Sequence, residues 1–315
     1  MRLGLMSTAN INDALLEGAP ERVEIAAVAS RDGARAQAYA SEHGIERPHG
    51  SYEELLADDE LDAVYISLPN GMHHEWTLKA IEAGKHVLVE KPYSRRAAEA
   101  EEAWDAAERA DVVVMEAFMW RHHPQAEAAR TLVEQGRIGR LREIRTTFSF
   151  PLFDHDNVRM VADLDGGALM DVGCYCISGA RLLAGEPDHV FGEQVVGPTG
   201  VDVDFYGILR CPNDVVAVFD ASFTLPKRQR LEAVGEEATL VLEAPWRSDW
   251  GGRLLVDDEP IAVPTANPYE HELTNFAAAI AGEAEPLLGR EDAVAQARVI
   301  EALYRSAESG EAVPL

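Results

Sequence analysis

The chain has 315 residues, 47% hydrophobic and 26% charged, enough material for about two domains with sizeable cores. No run approaches the roughly 18 apolar residues of a membrane span. The net charge of −27 and pI near 4.6 argue against a nucleic-acid surface, which needs clustered Lys and Arg.

Cys174, Cys176 and Cys211 form no even disulfide framework. Met1 leads almost directly into apolar residues 3–6 without a basic leader, so a cytoplasmic protein is expected. Lysine occurs only at Lys79, Lys85, Lys91 and Lys227. An acid-rich, lysine-poor surface suits a high-salt cytoplasm, and GC-biased coding also depletes lysine. Net charge speaks to solubility and not to fold.

The first 120 residues alternate β-branched runs with amphipathic stretches. Strands are predicted at 3–6, 23–30, 63–67, 86–89 and 112–115, and helices at 33–43, 51–57, 72–83 and 95–109. Apolar strands separated by helices imply a parallel sheet covered on both faces. After 120 the pattern changes. A helix is predicted at 121–135, a strand at 140–150 and a helix at 168–184. Strands at 189–197, 202–210, 215–223, 229–234 and 238–242 follow without intervening helices, and helices at 270–281 and 290–309 close the chain. The expected architecture is α/β. A doubly wound dinucleotide-binding domain (1–120) precedes an α+β domain (121–315) on a large, mostly antiparallel sheet, and ligand is expected in the cleft between such domains.

The first turn, where a G-x-G-x-x-G fingerprint is expected, reads Ser7-Thr8-Ala9-Asn10-Ile11-Asn12. No glycine is present. Ser7 and Ala9 are still small enough for backbone to approach a pyrophosphate, and Asn12 is positioned to cap the following helix. An ordinary turn without ligand is equally consistent. The second strand ends Ser30-Arg31-Asp32. A Ser-Arg pair suits a ribose 2′-phosphate, with Arg35 one helical turn away. Asp32 keeps NAD possible, and the alternative for both arginines is a solvated helix start.

The strand at 86–89 runs into Glu90-Lys91-Pro92, placing a lysine at the carboxyl end of a parallel strand, where the ligand crevice lies. Here the sequence resembles the Gfo/Idh/MocA oxidoreductase family. The resemblance rests on Pro69-Asn70-Gly71-Met72-His73, on Gly84 through Pro92, on Glu116 through Pro124 and on Gly166 through Tyr175, with Asn267-Pro268-Tyr269 in the tail. Within the family it is most similar to dimeric dihydrodiol dehydrogenases and NADP-dependent D-xylose 1-dehydrogenases. It implies that Lys91 is catalytic, that Ser30 and Arg31 meet the NADP phosphate, and that Leu68, Pro69, Asn70 and His73 line the cofactor together with Glu90 and Lys91. Arg159 and Tyr269 match positions near the cofactor. In many relatives a histidine stands where this chain has Tyr175. The missing glycines at Ser7, Ala9 and Asn12 depart from the family pattern.

Asp171 and Tyr175, four apart, share one face of the predicted 168–184 helix, and Gly166-Gly167 would let that helix start close to the cofactor. A tyrosine exchanges a proton with a substrate hydroxyl if a cation lowers its phenol pKa from about 10. Lys91 is the obvious cation, and Asp171 would orient hydroxyls or tune Lys91. The bland alternatives are a core tyrosine and a helix-capping aspartate. Adjacent His73-His74 and His122-His123 lack metal-ligand spacing, so no metal is expected.

The expected function is NADP-dependent hydride transfer with a sugar-like substrate, first of all aldose oxidation at C1 to a lactone. Reduction of a keto-sugar or dicarbonyl would use the same residues, and a non-catalytic NADP-sensing regulator is the rival of a different class. An exposed face of the second sheet would need a partner, so a homodimer or a dimer of dimers is expected, with no nucleic acid or membrane partner.

Overall fold

Six short runs make the first sheet: β1 (Arg2–Leu5), β2 (Glu24–Ala29), β3 (Arg47–His49), β4 (Ala63–Ile66), β5 (His86–Glu90) and β6 (Val114–Ala117). In this computed structural model, which describes residues 1–247 and 252–315, their order is β3-β2-β1-β4-β5-β6 and every neighbouring pair is parallel. Connections pass through α1 (Ile11–Glu17), α2 (Gly33–His43), α3 (Tyr52–Leu56), α4 (His73–Glu82) and α5 (Ala97–Ala110). Leu3, Leu5, Val64, Tyr65, Ile66, Val87, Leu88 and Val89 are fully buried, as strands covered on both faces require. The order reverses between β1 and β4, and the strand ends there are the topological switch point where such sheets bind ligand.

The doubly wound reading of the N-terminal half therefore holds. β3 was not expected. Arg-Pro-His carries no apolar pattern, and a strand containing proline is tolerated at a sheet edge, where β3 lies.

The helix expected at 121–135 is two helices, α6 (Met119–His122) and α7 (Pro124–Glu134). They break at His123, whose extended backbone (φ −75, ψ 136) precedes Pro124, and whose Nδ1 accepts from Gln125 N at 3.2 Å as an N-cap.

The second sheet begins with β7 (Leu141–Ser149). After α8 (Cys174–Ala184) it continues through β8 (His189–Val196), β9 (Asp202–Cys211), β10 (Val215–Ser222), β11 (Arg228–Gly235), β12 (Thr239–Leu242), β13 (Leu254–Val256) and β14 (Glu259–Ile261). Helices α9 (Pro268–Ile280) and α10 (Arg290–Ser309) precede a last short strand, β15 (Val313–Pro314). The strand order is β14-β13-β12-β11-β7-β10-β9-β8-β15. Within this sheet only β7 and β10 pair in parallel among the described strands.

One face of this sheet carries Ile144, Phe205, Leu209, Ala217, Phe219, Leu231 and Ala233, all buried. Helix α8 lies on it, and Gly179 lets it approach so closely that a Cβ there would meet Leu231 and the Trp246 ring. The alternate residues point the other way, and there Tyr206 and Ile208 are 43% and 46% exposed.

The chain gathers into two compact units. One holds Met1–Ser94, Ala98–His122 and Asn267–Val294; the other holds Arg95–Ala97, His123–Ala266 and Ala295–Leu315. The sequence reading placed all of 121–315 together. Instead, α9 packs with the parallel-sheet unit: Leu273 and Phe276 are fully buried, and Gly18 at the end of α1 leaves room for Tyr269 and Glu270.

Candidate functional site

The first unit presents its candidates at the carboxyl ends of β1, β2, β4 and β5. After β1 the turn is closed by side chains rather than glycines. Ser7 Oγ bonds the Ser67 hydroxyl at 2.7 Å and accepts from Ala9 N at 3.0 Å. Asn12 Nδ2 donates to Ser7 O at 2.7 Å. Asn12 is therefore not the helix cap expected from sequence; it is a fully buried member of α1, and Asn10 occupies the cap position without a side-chain cap bond. Thr8, Ala9, Asn10 and Ile11 keep some exposure at this edge.

After β2 the chemistry of the tip is decided by Asp32. Its Oδ1 accepts from Ala34 N at 2.9 Å and Arg35 N at 3.4 Å, so it is the N-cap of α2. Ser30 Oγ accepts from Asp32 N at 3.2 Å. Arg31 and Arg35 are exposed, and neither enters an ion pair among the described residues. One carboxylate oxygen of Asp32 is thus used by the helix, while neither guanidinium pairs with a protein anion among the described residues.

After β4, Leu68 is buried, and Pro69 and Asn70 are half-buried at the start of a 3-10 turn leading into α4. His73 is fully buried. Its Nε2 lies 2.8 Å from Leu68 O and its Nδ1 3.0 Å from Pro92 O. Burial, above all, holds its pKa below the ordinary value, with the Lys91 charge acting in the same direction. The ring of His73 thus braces the backbones of two strand exits.

β5 ends at Glu90 and delivers Lys91, half-buried, with a cis peptide to Pro92. Glu90 Oε1 accepts from Tyr65 OH of β4. Glu272, fully buried on α9, has its carboxyl pKa held well above the usual range by burial and then by the charge of Glu90. Tyr269, at the start of the same helix, is half-buried. Glu116, buried in β6, accepts from Tyr93 N at 2.8 Å and so pins the turn that follows Lys91. The sequence reading quoted Glu116 within a motif but gave it no role, because only the pairing of β5 with β6 sets it opposite that turn.

The second unit presents Asp171, Tyr175 and Arg159. The helix expected from 168 opens with a π-helical turn, Leu169–Gly173, before α8 begins at Cys174. Asp171 lies in this turn and Tyr175 in the first turn of α8. Asp171 Oδ2 accepts from Arg159 Nε at 2.8 Å, so its carboxylate holds a guanidinium and does not cap the helix. Arg159, expected beside the cofactor, is exposed and makes this contact. Tyr175 is 8% exposed, its ring edge-on to Phe148 at 5.4 Å and tilted against Trp246 at 6.0 Å. A packed body fixes where its hydroxyl points.

Gly166 and Gly167 serve protein packing. A Cβ on Gly166 would strike the Arg159 carbonyl. One on Gly167, whose φ is +124, would collide with the Asp202 carboxylate. Sequence reasoning attached these glycines to the cofactor and did not single out Asp202, which is distant in sequence.

A parallel sheet with a lysine at its carboxyl edge, joined in one chain to a buried tyrosine and a paired carboxylate, suits nicotinamide-dependent hydride transfer. Residues 4–118 match the family model "Oxidoreductase family, NAD-binding Rossmann fold", and residues 126–241 match the GFO/IDH/MocA C-terminal domain. The chain belongs to the Gfo/Idh/MocA oxidoreductase family and is an oxidoreductase. It is 40% identical to a D-xylose 1-dehydrogenase (NADP(+)) from Haloferax volcanii, over 100% of both chains. Its structure is similar to that of an aldose-aldose oxidoreductase from Caulobacter crescentus (TM-score 0.91, 26% identity, covering 100% of this chain and 99% of that one). It is also similar to a 3-ketoreductase from Actinomadura kijaniata in complex with NADP and TDP-benzene (TM-score 0.91, 28% identity, 97% of each chain).

Proposed function

We propose that this protein is an NADP-dependent sugar dehydrogenase that oxidises an aldose at C1 to its lactone. The observation that carries the cofactor choice is the tip of β2, where Arg31 and Arg35 stand exposed beside Ser30 without a protein anion among the described residues and Asp32 gives one carboxylate oxygen to capping α2. Thr8 to Ile11, Leu68, Pro69, Asn70 and Tyr269 would flank the rest of the dinucleotide, with His73, Glu90 and Glu116 holding the strand exits in place. The full-length likeness to the Haloferax volcanii D-xylose 1-dehydrogenase supports the aldose.

When bound, the oxidised nicotinamide supplies the acceptor for the hydride leaving C1. Tyr175 takes the proton from the C1 hydroxyl. Tyr175 does this as its phenolate, and Lys91 stabilises the negative charge that passes from the phenolate to the C1 oxygen as the proton moves the other way. Asp171, oriented by Arg159, accepts a hydrogen bond from a sugar hydroxyl. The likeness to a 3-ketoreductase favours a second reading, reduction of a keto-sugar by the same groups in reverse.

The chain is further assigned as a homodimer or a dimer of dimers. The open face of the second sheet carries Tyr206, Ile208 and Val195, all more than 40% exposed, as an apolar strip bordered by the Arg145–Glu143 and Arg230–Glu232 pairs. That composition suits a second copy of the same surface.

The test is NADP reduction at 340 nm across a panel of aldoses and polyols, with wild type and Lys91→Ala. Turnover of one aldose, lost in the variant while NADPH binding persists, is the expected result. Tight NADPH binding without oxidation of any sugar would overturn the dehydrogenase reading; NADPH oxidation by a keto-sugar would then support the reductase, and none the regulator.

A further inference from the structure

The structure assigns Asp202 as the positioning residue for Asp171 and Tyr175, through the first amide of the turn that carries them. The inference rests on the roles proposed above for those two side chains.

Asp202 opens β9 and is 3% exposed. Both of its carboxylate oxygens accept: Oδ2 from Leu169 N at 2.7 Å, and Oδ1 from Tyr304 OH of α10 at 2.9 Å. Leu169 is the first residue of the π-helical turn, whose backbone then leads through Asp171 into Tyr175. Amides at the start of a helix have no partner within it, and a buried one must be satisfied by a side chain. A charged acceptor makes this bond about twice as strong as a neutral one.

Gly167 is what lets the carboxylate reach the amide, since any side chain there would occupy the position of Oδ1. Tyr304 is in turn fixed from behind by Arg95, whose guanidinium lies 4.1 Å from the ring centroid and 3.5 Å from Asp165. Nothing in this set needs to touch substrate. It is a brace whose free end is the segment bearing the proposed proton-transfer group.

The brace is sensitive to protonation. A proton on Oδ2 displaces the Leu169 N–H, and a proton on Oδ1 reverses the bond to Tyr304 and removes the charge that strengthens the bond to Leu169. The charged and titratable groups facing it are Tyr304 on α10, Arg95, and Asp165 beyond Tyr304. Burial raises the Asp202 pKa from 3.8 to about 7, against the lowering effect of the Leu169 and Tyr304 bonds and of Arg95. The Tyr304 phenol is held well above its ordinary value by burial and by Asp202, so it stays a donor.

The experiment measures kcat and KM against pH for wild type, Asp202→Asn and Tyr304→Phe, with hydrogen exchange of the 169–173 amides recorded without substrate. Asparagine preserves shape and one acceptor oxygen, so the fold is retained. Wild-type kcat should fall as pH drops through about 7. In Asp202→Asn, kcat should be about tenfold lower at pH 8, that pH dependence should be gone, and Leu169 exchange should accelerate. NADPH affinity should be unchanged. Tyr304→Phe removes a donor that favours the ionised form, so its midpoint should move to higher pH.

Unchanged Leu169 exchange in Asp202→Asn would overturn the brace whatever the substrate. Faster exchange with wild-type kcat and pH profile would overturn the positioning role. Absence of wild-type turnover with every sugar would instead sink the proposed activity, and the exchange result would still decide whether Asp202 holds the turn.

Discussion

Replacing Arg31 by alanine isolates the term that should decide between NADP and NAD. The side chain is exposed at the tip of β2 and makes no ion pair among the described residues, so its removal should leave the melting temperature nearly unchanged. A guanidinium–phosphate hydrogen bond is worth about 1.5–3 kcal/mol, and exposure to solvent favours the lower end. The expected loss in NADPH affinity is therefore about 10- to 100-fold. NADH lacks the 2′-phosphate, and its affinity should change less than about twofold. The NADPH loss should shrink as salt rises, because the pair is exposed and screened. The assay is a nicotinamide fluorescence titration with each cofactor at two ionic strengths. Equal weakening of both cofactors, or no weakening of NADPH, would refute the assignment and return Arg31 to an ordinary solvated helix start.

Gly167→Ala should lower stability by at least about 2 kcal/mol in thermal or urea unfolding, because the residue adds strain at φ +124 and drives a methyl into the Asp202 carboxylate. Wild-type stability would argue against the close approach. His122 is half-buried, and its pKa is pushed from 6.5 to about 3 by desolvation first, then by Arg121 and His271. The unfolded chain binds a proton below about 6.5 that the folded one refuses, so stability should be lost as pH falls from 6.5 towards 3. His122→Gln should flatten that part of the unfolding curve, and an unaltered slope would contradict the assignment. Ile208→Arg places a charge in the exposed strip of the second sheet and should shift the protein to monomer in size-exclusion light scattering. A wild type that is already monomeric would remove the basis for that expectation.

The readable features were those set by local pattern. β1, β2, β4 and β5 announced themselves as apolar runs, and α2 as the helical stretch expected at 33–43. Lys91 was legible because a lysine following a buried strand is anomalous in a chain with four lysines. Three readings lacked contacts that only the fold supplies. Asn12 looked like a cap, but α1 starts at Ile11, so its amide turns back to Ser7. Asp32 looked available to a ribose and is used by α2. Gly166 and Gly167 looked like concessions to a cofactor, but Gly167 is shaped by a carboxylate 35 positions later.

By itself, the sequence determined most of the order of elements, the parallel character of the first sheet, the mostly antiparallel character of the second and the place of Lys91 at the end of a buried strand. These follow from periodicity and from residue types out of keeping with their surroundings. Only the tertiary structure decided which polar groups were already spent. Asp171 on Arg159, His73 between two carbonyls, Glu116 on Tyr93 and Asp202 on Leu169 are pairings between residues 5 to 33 positions apart. Hydrogen bonds satisfy whatever donor the fold brings near, and sequence spacing carries no record of that choice.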